Sequence, residues 1–175
     1  EMFLWNYLDD PAGLPHPSHG YWMPLTSLLA AAGMVLMPSL PPYDAARFFL
    51  GVVAAGIPPL TAALAYSLTA RRDLALWAGL LAVFSAFYLP FQTATDAFSI
   101  YMFLGAVLFL LLAKPGKPLW WSALYGLLAG LFHLARADGG MWLGIALFAV
   151  WLEGKWEWKK LAASWGLVLL GYALV

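Results

Sequence analysis

Long apolar segments separated by short polar loops constrain the fold of this chain more than any motif does. A helix needs about 20 apolar residues to cross the roughly 30 Å hydrocarbon core of a bilayer. Only 10% of the residues are charged, whereas soluble domains carry about 25%. The pattern predicts an all-α, polytopic membrane protein with one transmembrane domain, 1–175, a helical bundle of about six transmembrane helices. The predicted helices are residues 45–70, 74–90, 97–113, 119–135, 141–152 and 161–175.

Charges in the alternate loops predict the orientation of this bundle. Short loops rich in Lys and Arg stay on the cytoplasmic side, and one set of loops holds Arg71, Arg72, Lys114, Lys117, Lys155, Lys159 and Lys160. The other set holds Asp9, Asp10, His16, His19, Asp44, Asp96 and Asp138, with only Arg47 and Arg136 as cations. We therefore expect a multi-pass plasma membrane protein whose chemically useful carboxylates all lie on the extracytoplasmic face. A net charge of zero gives no electrostatic case for nucleic acid as a partner.

The apolar segment 21–37, which starts at Tyr21 and ends at Met37, is ambiguous. Pro24 interrupts its start, and prolines close its end. If it crossed the membrane, Asp9 and Asp10 would lie on the cytoplasmic side, away from Asp96. We expect instead a juxtamembrane helix at the outer interface, within an extracytoplasmic segment 1–43 that precedes transmembrane helices over 44–175.

The stretch before this segment contains adjacent carboxylates in a proline-rich loop. Asp9 and Asp10 precede Pro11, and His16 and His19 follow within ten residues. Carboxylate and imidazole groups at this spacing could bind a hard divalent cation. The alternative is a solvated Asp-Asp-Pro turn that caps a helix, and the residues alone favour neither interpretation.

Asp96 and Arg136 are the other candidate site residues. Asp96 could face the outer cavity, or it could serve as the N-cap of the next helix. Arg136 precedes Asp138-Gly139-Gly140 and could bind an anionic head group together with a helix N-terminus. The alternative for Arg136 is an ion pair with Asp138.

Three further residues have structural interpretations. His133, one turn before Arg136, is expected to be a buried, hydrogen-bonded histidine rather than a ligand. Gly126 and Gly130 have the small-xxx-small spacing typical of close helix packing.

The order of these features resembles a known family. An acidic outer loop is followed by His16-Pro17, then Tyr21-Trp22 and Pro24-Leu25, and a later helix contains Ala46-Arg47-Phe48-Phe49. An acid follows in the second outer loop. The pattern ends with Gly-Leu-Leu-Ala-Gly-Leu-x-x-Leu-x-Arg-x-Asp-Gly, residues 126–139. This arrangement is similar to the amino-terminal half of GT-C class membrane glycosyltransferases, in particular the protein-mannosyltransferase-like family 39.

The resemblance implies a hexosyltransferase that transfers a sugar from a polyprenyl phosphate donor to an acceptor on the extracytoplasmic face, with inversion. It implies that Asp9 or Asp10 is the catalytic base and that Asp96 is a second catalytic acid. Asp10 and Asp96 would hold a divalent metal cation, and Arg136 would bind the lipid phosphate, with His16 and His19 as further substrate-binding candidates. The family usually has Asp-x-Glu where this chain has Asp9-Asp10, so which residue acts as the base stays open.

Two alternatives to the enzyme follow from the sequence. The chain stops inside an apolar run and lacks the family's first and later helices, so we expect a fragment of a longer protein, inactive by itself. A non-catalytic membrane subunit or scaffold of a larger complex, with other membrane subunits as partners, is therefore the main alternative. A transporter fits less well, because transport sites place charge at mid-membrane and these apolar segments are almost free of charge.

Overall fold

Helices form most of the chain that the computed structural model describes, residues 4–5, 16–17, 23–84, 94–153 and 157–175. These residues contain α1 (Leu25–Leu36), α2 (Pro42–Ala55), α3 (Ile57–Thr69), α4 (Arg72–Val83), α5 (Ala97–Leu112), α6 (Trp121–Ala135), α7 (Met141–Glu153) and α8 (Trp158–Ala173). A 3-10 helix, Ala137–Gly140, leads into α7. Two short strands, β1 (Leu4–Trp5) and β2 (His16–Pro17), pair antiparallel near the amino terminus. Apart from that two-residue ladder the regular structure of the described chain is all-helical, which confirms the all-α part of the predicted class.

Helices α2 and α3 form one continuous helical segment, Pro42–Thr69, of 28 residues. Pro58 and Pro59 lie inside this segment, and the interruption between the two helices lies just before them, at Gly56. The prolines occupy the first turn of α3, where a missing N–H costs no intrahelical bond. The Gly56 N–H still donates to the carbonyls of Val52 and Val53, at 3.3 and 3.1 Å, so the helix axis continues through the prolines.

The helix ends fall into two sets, one at each end of the bundle. Pro42 at the start of α2 and Thr95 before α5 line one cavity, and the Arg136 guanidinium lies over the Phe98 ring. We name residues 42–47, 94–98 and 136–140 the acidic end. Gly56 lies against Phe103, so α2–α3 and α5 run side by side in the same direction.

The opposite end of the bundle carries most of the cations. There the loop after α5 meets the end of α7 through an ion pair between Lys117 and Glu153. We name residues 69–73, 112–121, 153 and 157–160 the basic end. Its described cations are Arg71, Arg72, Lys114, Lys117, Lys159 and Lys160. The loops that the sequence groups by charge therefore share an end of the bundle.

The core is densest where α6 packs against α8. Tyr125, Phe132 and Val168 are almost completely buried. A Cβ added to Gly126 would lie 1.9 Å from the Val168 carbonyl oxygen, and one added to Gly171 would lie 2.1 Å from the Ala123 oxygen. The two backbones are in direct contact, so the predicted packing role of Gly126 is confirmed.

The outer surface of the bundle is rich in large apolar side chains. Leu68, Phe84 and Leu174 are 70%, 71% and 73% exposed. Among the described residues, Pro42–Thr69 is the helix long and apolar enough to cross a membrane, while α1, α5 and α6 are apolar but shorter. The six predicted crossings therefore stay a prediction.

Helix α1 lies within the predicted juxtamembrane segment 21–37, and its position relative to a membrane stays a prediction. Thr26 and Met34, near its two ends, line a cavity with Tyr43 and Thr95, so α1 lies at the acidic end. Gly33 approaches the Ala45 backbone closely, because a Cβ there would lie 2.4 Å from the Ala45 oxygen. Twelve residues span about 18 Å, less than the thickness of a hydrocarbon core.

Candidate functional site

Asp96 caps helix α5 at the acidic end. Its backbone is extended, with φ −126° and ψ 163°, and its Oδ1 accepts a hydrogen bond from the Ala97 N–H at 2.5 Å. A carboxylate there interacts favourably with the positive end of the helix dipole. The N-cap interpretation of Asp96 is therefore confirmed. Because the cap uses Oδ1, the second oxygen remains for a further partner.

Arg136 forms an ion pair with Asp138 directly after α6. Its Nε lies 3.0 Å from Oδ1 of Asp138, and its Nη2 lies 3.3 Å from Oδ2. Two parallel hydrogen bonds between guanidinium and carboxylate fix the geometry of both groups. The ion-pair interpretation of Arg136 is therefore confirmed, and any anionic ligand has to compete with Asp138.

The charges around Arg136 stabilise one another. The hydrogen bond from Arg136 holds the pKa of Asp138 below its ordinary value. The same bond raises the pKa of Arg136, against a small opposing effect of burial, and Asp96 adds a further small attraction. The Phe98 ring, which lies under the Arg136 guanidinium, follows Asp96 by two residues, so the structure places Asp96 and Arg136 at the same end of the bundle. The Arg136 and Asp138 side chains are 37% and 52% exposed, so water screens much of the energy of their ion pair.

An aromatic cluster, which sequence analysis missed, supports the Arg136 guanidinium. Arg136 lies 5.3 Å from the centroid of the Phe98 ring and 5.6 Å from that of Tyr101, within the range of cation–π attraction. The Tyr101 hydroxyl accepts a hydrogen bond from Trp142 Nε1 at 2.7 Å, and Trp142 stacks on Phe132 at 4.1 Å. Phe98 and Tyr101 lie three residues apart, on one face of α5. This spacing is the feature of the sequence from which the aromatic cluster could have been predicted.

A cavity of about 350 Å³ lies beside Asp96, under α1. Tyr43 and Thr95 line it, together with Thr26, Ser27, Ala30, Met34, Pro42 and Ala46. The lining is largely apolar with a few hydroxyl groups, and the volume is within the range of small-molecule sites. The acidic end therefore contains an apolar cavity whose lining residue Thr95 directly precedes Asp96.

His133 has the structural role that the sequence predicts. Its Nδ1 hydrogen-bonds the hydroxyl of Tyr172 in α8, and the residue is half-buried. The bond links α6 to α8 one turn before Arg136.

The predicted base and cation site involve residues that the structure does not describe. Asp9, Asp10 and His19 lie outside the described residues, and His16 is described through its backbone in β2. Within the described ranges, no group of three or more His, Cys, Asp or Glu residues gathers to hold a metal ion. The pairing of Asp10 with Asp96 around a divalent cation stays a prediction.

The contacts of Lys117 are not predicted from the sequence, in which this residue only marks a cytoplasmic loop. Lys117 is paired with Glu153 and lines a second cavity at the basic end. The two residues are 36 positions apart, and no local pattern brings them together.

Comparison with known proteins adds no relative. No protein-family model, no curated protein sequence and no solved structure matches the chain.

Proposed function

We propose that the chain is the membrane-embedded part of a glycosyltransferase that uses a polyprenyl phosphate sugar at the extracytoplasmic face. One observation carries the proposal: Asp96 and Arg136 lie at the same end of an apolar bundle. The acidic end has fewer cations than the basic end, which supports placing it on the extracytoplasmic side.

The apolar exterior supports a location in the bilayer. Leu81 is 68% exposed, Trp77 62% and Val52 55%, and all three belong to helices of the bundle. Monomeric soluble proteins rarely expose apolar patches of this extent. In a membrane the same side chains face lipid.

Arg136 is proposed to bind the donor phosphate. An exposed ion pair contributes at most about 1 kcal/mol, so a phosphate group can displace Asp138 at little cost. Guanidinium suits bidentate phosphate binding, and the Phe98 and Tyr101 rings hold its plane in place. Asp138 then acts as a reversible substitute for the substrate anion.

Asp9 or Asp10 is proposed to accept the proton of the acceptor hydroxyl as it attacks the sugar. Attack from the face opposite the phosphate inverts the anomeric carbon, and the phosphate leaves with the bonding electrons. Asp10 and the remaining oxygen of Asp96 would hold a divalent cation, which would neutralise charge on the phosphate.

The test is sugar transfer by the full-length protein, measured with a panel of radiolabelled polyprenyl phosphate sugars. We expect one of Asp9→Asn and Asp10→Asn to lower the rate by about 10²- to 10⁴-fold. Asp44→Asn, an acid at the same end without a proposed role, is the matched control. Full activity in both Asp9→Asn and Asp10→Asn would overturn the proposed mechanism.

A second candidate is a non-catalytic membrane subunit. It is favoured by the structural partners of the two described site residues, since Asp96 caps α5 and Arg136 pairs with Asp138. Co-purification in a fixed ratio with a larger complex, together with no transfer activity for any donor, would favour the subunit.

The proposed membrane orientation has its own test, because the chain contains no cysteine. Ser39 near the acidic end and Lys159 at the basic end are both exposed, so Ser39→Cys and Lys159→Cys introduce single labelling sites. We expect an impermeant maleimide to label Ser39→Cys in intact cells and Lys159→Cys only after lysis. Equal labelling of both before lysis would contradict a membrane-spanning bundle.

A further inference from the structure

A cavity of about 410 Å³ lies at the basic end, far from Asp96 and Arg136. It is formed where the loop before α6 meets the end of α7 and the start of α8. Its described lining is Lys117, Pro118, Leu119, Trp121, Ser122, Tyr125, Val150, Glu153, Glu157, Lys160 and Ser164. The volume is typical of small-ligand sites, and no role described above uses it.

Lys117 places a nearly buried ammonium group in this cavity. Its side chain is 7% exposed, although lysine is rarely buried without a partner. The ammonium donates to the Leu112 carbonyl oxygen at 3.0 Å and to Glu153 Oε1. An ammonium has three donors, and the one that these two bonds leave faces the Tyr125 hydroxyl.

Tyr125 adds a second, independent indication of a ligand. The residue is 1% exposed, and within the described part of the chain its hydroxyl proton has no acceptor, although its oxygen lies beside the Lys117 ammonium. The Lys117 ammonium lies 5.4 Å from the centroid of its ring. A buried hydroxyl without a partner is costly, and a bound acceptor atom would remove that cost.

The opening of the cavity carries carboxylates. Glu153 is 42% exposed, and Glu157 pairs with Lys160 at 2.7 Å while both remain more than half exposed. Lys117, Lys160, Glu153 and Glu157 together carry no net charge. The lining therefore offers donors inside and acceptors at the opening, a pattern that suits a ligand with both signs of charge.

We propose that this cavity binds a zwitterion of the phosphoethanolamine type. Its anionic phosphate oxygen accepts from the Tyr125 hydroxyl, and the adjacent Lys117 ammonium attracts the phosphate charge. Its ammonium donates to Glu153 and Glu157. The zwitterion can be the head group of a lipid or a free solute; the lipid source rests on the proposed membrane location, whereas the free solute does not.

The first experiment is native mass spectrometry of the full chain after delipidation. Phosphatidylethanolamine is compared with phosphatidylcholine, which has no N–H donor, and with phosphatidylglycerol, which has no ammonium group. We expect phosphatidylethanolamine to bind about tenfold more tightly than either, because each of the others leaves charged groups unmatched. Free phosphoethanolamine is titrated in parallel to distinguish the two sources.

Variants test whether binding occurs in this cavity. We expect Tyr125→Phe to weaken zwitterion binding about tenfold, since it removes one hydrogen bond to a charged group. Its fold should be preserved, because the hydroxyl proton has no acceptor to lose and Lys117 keeps its bonds to Leu112 and Glu153. Ser99→Ala is the matched control: the Ser99 hydroxyl is also buried without a partner in the described chain, but it lies near the acidic end.

Tyr125-dependent binding of phosphatidylethanolamine alone supports a lipid head group, and Tyr125-dependent binding of free phosphoethanolamine supports a soluble ligand. Equal binding of all three lipids, or equal binding by Tyr125→Phe and Ser99→Ala, overturns the proposal. Sugar transfer is measured separately, so the failure of one proposal leaves the other to its own assay.

Discussion

Replacing Gly126 by alanine should separate α6 from α8. The added Cβ would lie 1.9 Å from the Val168 carbonyl oxygen, 2.7 Å from its carbon and 2.9 Å from the Tyr172 nitrogen. All three atoms are backbone, so no side-chain rotation relieves the clash. Restoring an ordinary contact of about 3.4 Å requires the helices to move apart by about 1.5 Å, at the place where packing is tightest.

The expected cost follows from two opposing effects. Forcing extra volume into a packed contact costs about 1–3 kcal/mol, and more when backbone must move. Alanine regains about 1 kcal/mol of helix propensity over glycine. We therefore expect Gly126→Ala to lower the free energy of unfolding by at least about 1–2 kcal/mol.

The assay is unfolding of the purified protein in detergent, followed by circular dichroism. Gly166→Ala is the matched control, because Gly166 also lies in the α6–α8 pair, in α8, and a Cβ there meets no atom within 4 Å. We expect the control to be neutral or slightly stabilising. The reasoning is refuted if the two variants unfold at the same midpoint.

Two further predictions concern named polar contacts. The pKa of Asp138 is lowered by Arg136. The ionised carboxylate therefore contributes to the free energy of unfolding above the ordinary pKa of 3.8, and this contribution is lost as pH falls through the lower pKa of the folded state. We expect Asp138→Asn to remove this acid-side loss of stability, which is at most about 1 kcal/mol for an exposed pair; unchanged pH dependence in unfolding titrations would contradict this. Tyr172→Phe removes the partner of His133 and should cost about 1 kcal/mol, whereas the exposed Tyr66→Phe should cost nothing measurable in the same assay.

Much of the helical architecture follows from local pattern. The apolar runs locate the helices, because each must bury or shield an apolar surface along its length. The packing role of Gly126 could also be predicted, since small residues four positions apart let another helix approach one face closely. The N-cap role of Asp96 could be predicted because Asp96 directly precedes an apolar helix.

The contacts between residues far apart in the chain could not be predicted from the sequence. Lys117 and Glu153 meet only after three helices have packed, and Trp142 reaches Tyr101 from a different helix. Charge pattern alone assigns such residues to loops or interfaces. The alternatives for Arg136 were equally compatible with the sequence, because ion pairing with Asp138 and phosphate binding use the same atoms.

The length of the continuous α2–α3 helix has a consequence for depth. The 22 residues 48–69 span about 33 Å, close to the thickness of a hydrocarbon core. In the proposed membrane location, the six residues 42–47, with Asp44 and Arg47, then rise about 9 Å into the head-group layer. The cavity under α1 is lined by Pro42, Tyr43 and Ala46 of this segment, so in that location it would lie at head-group depth and could be entered sideways from the bilayer.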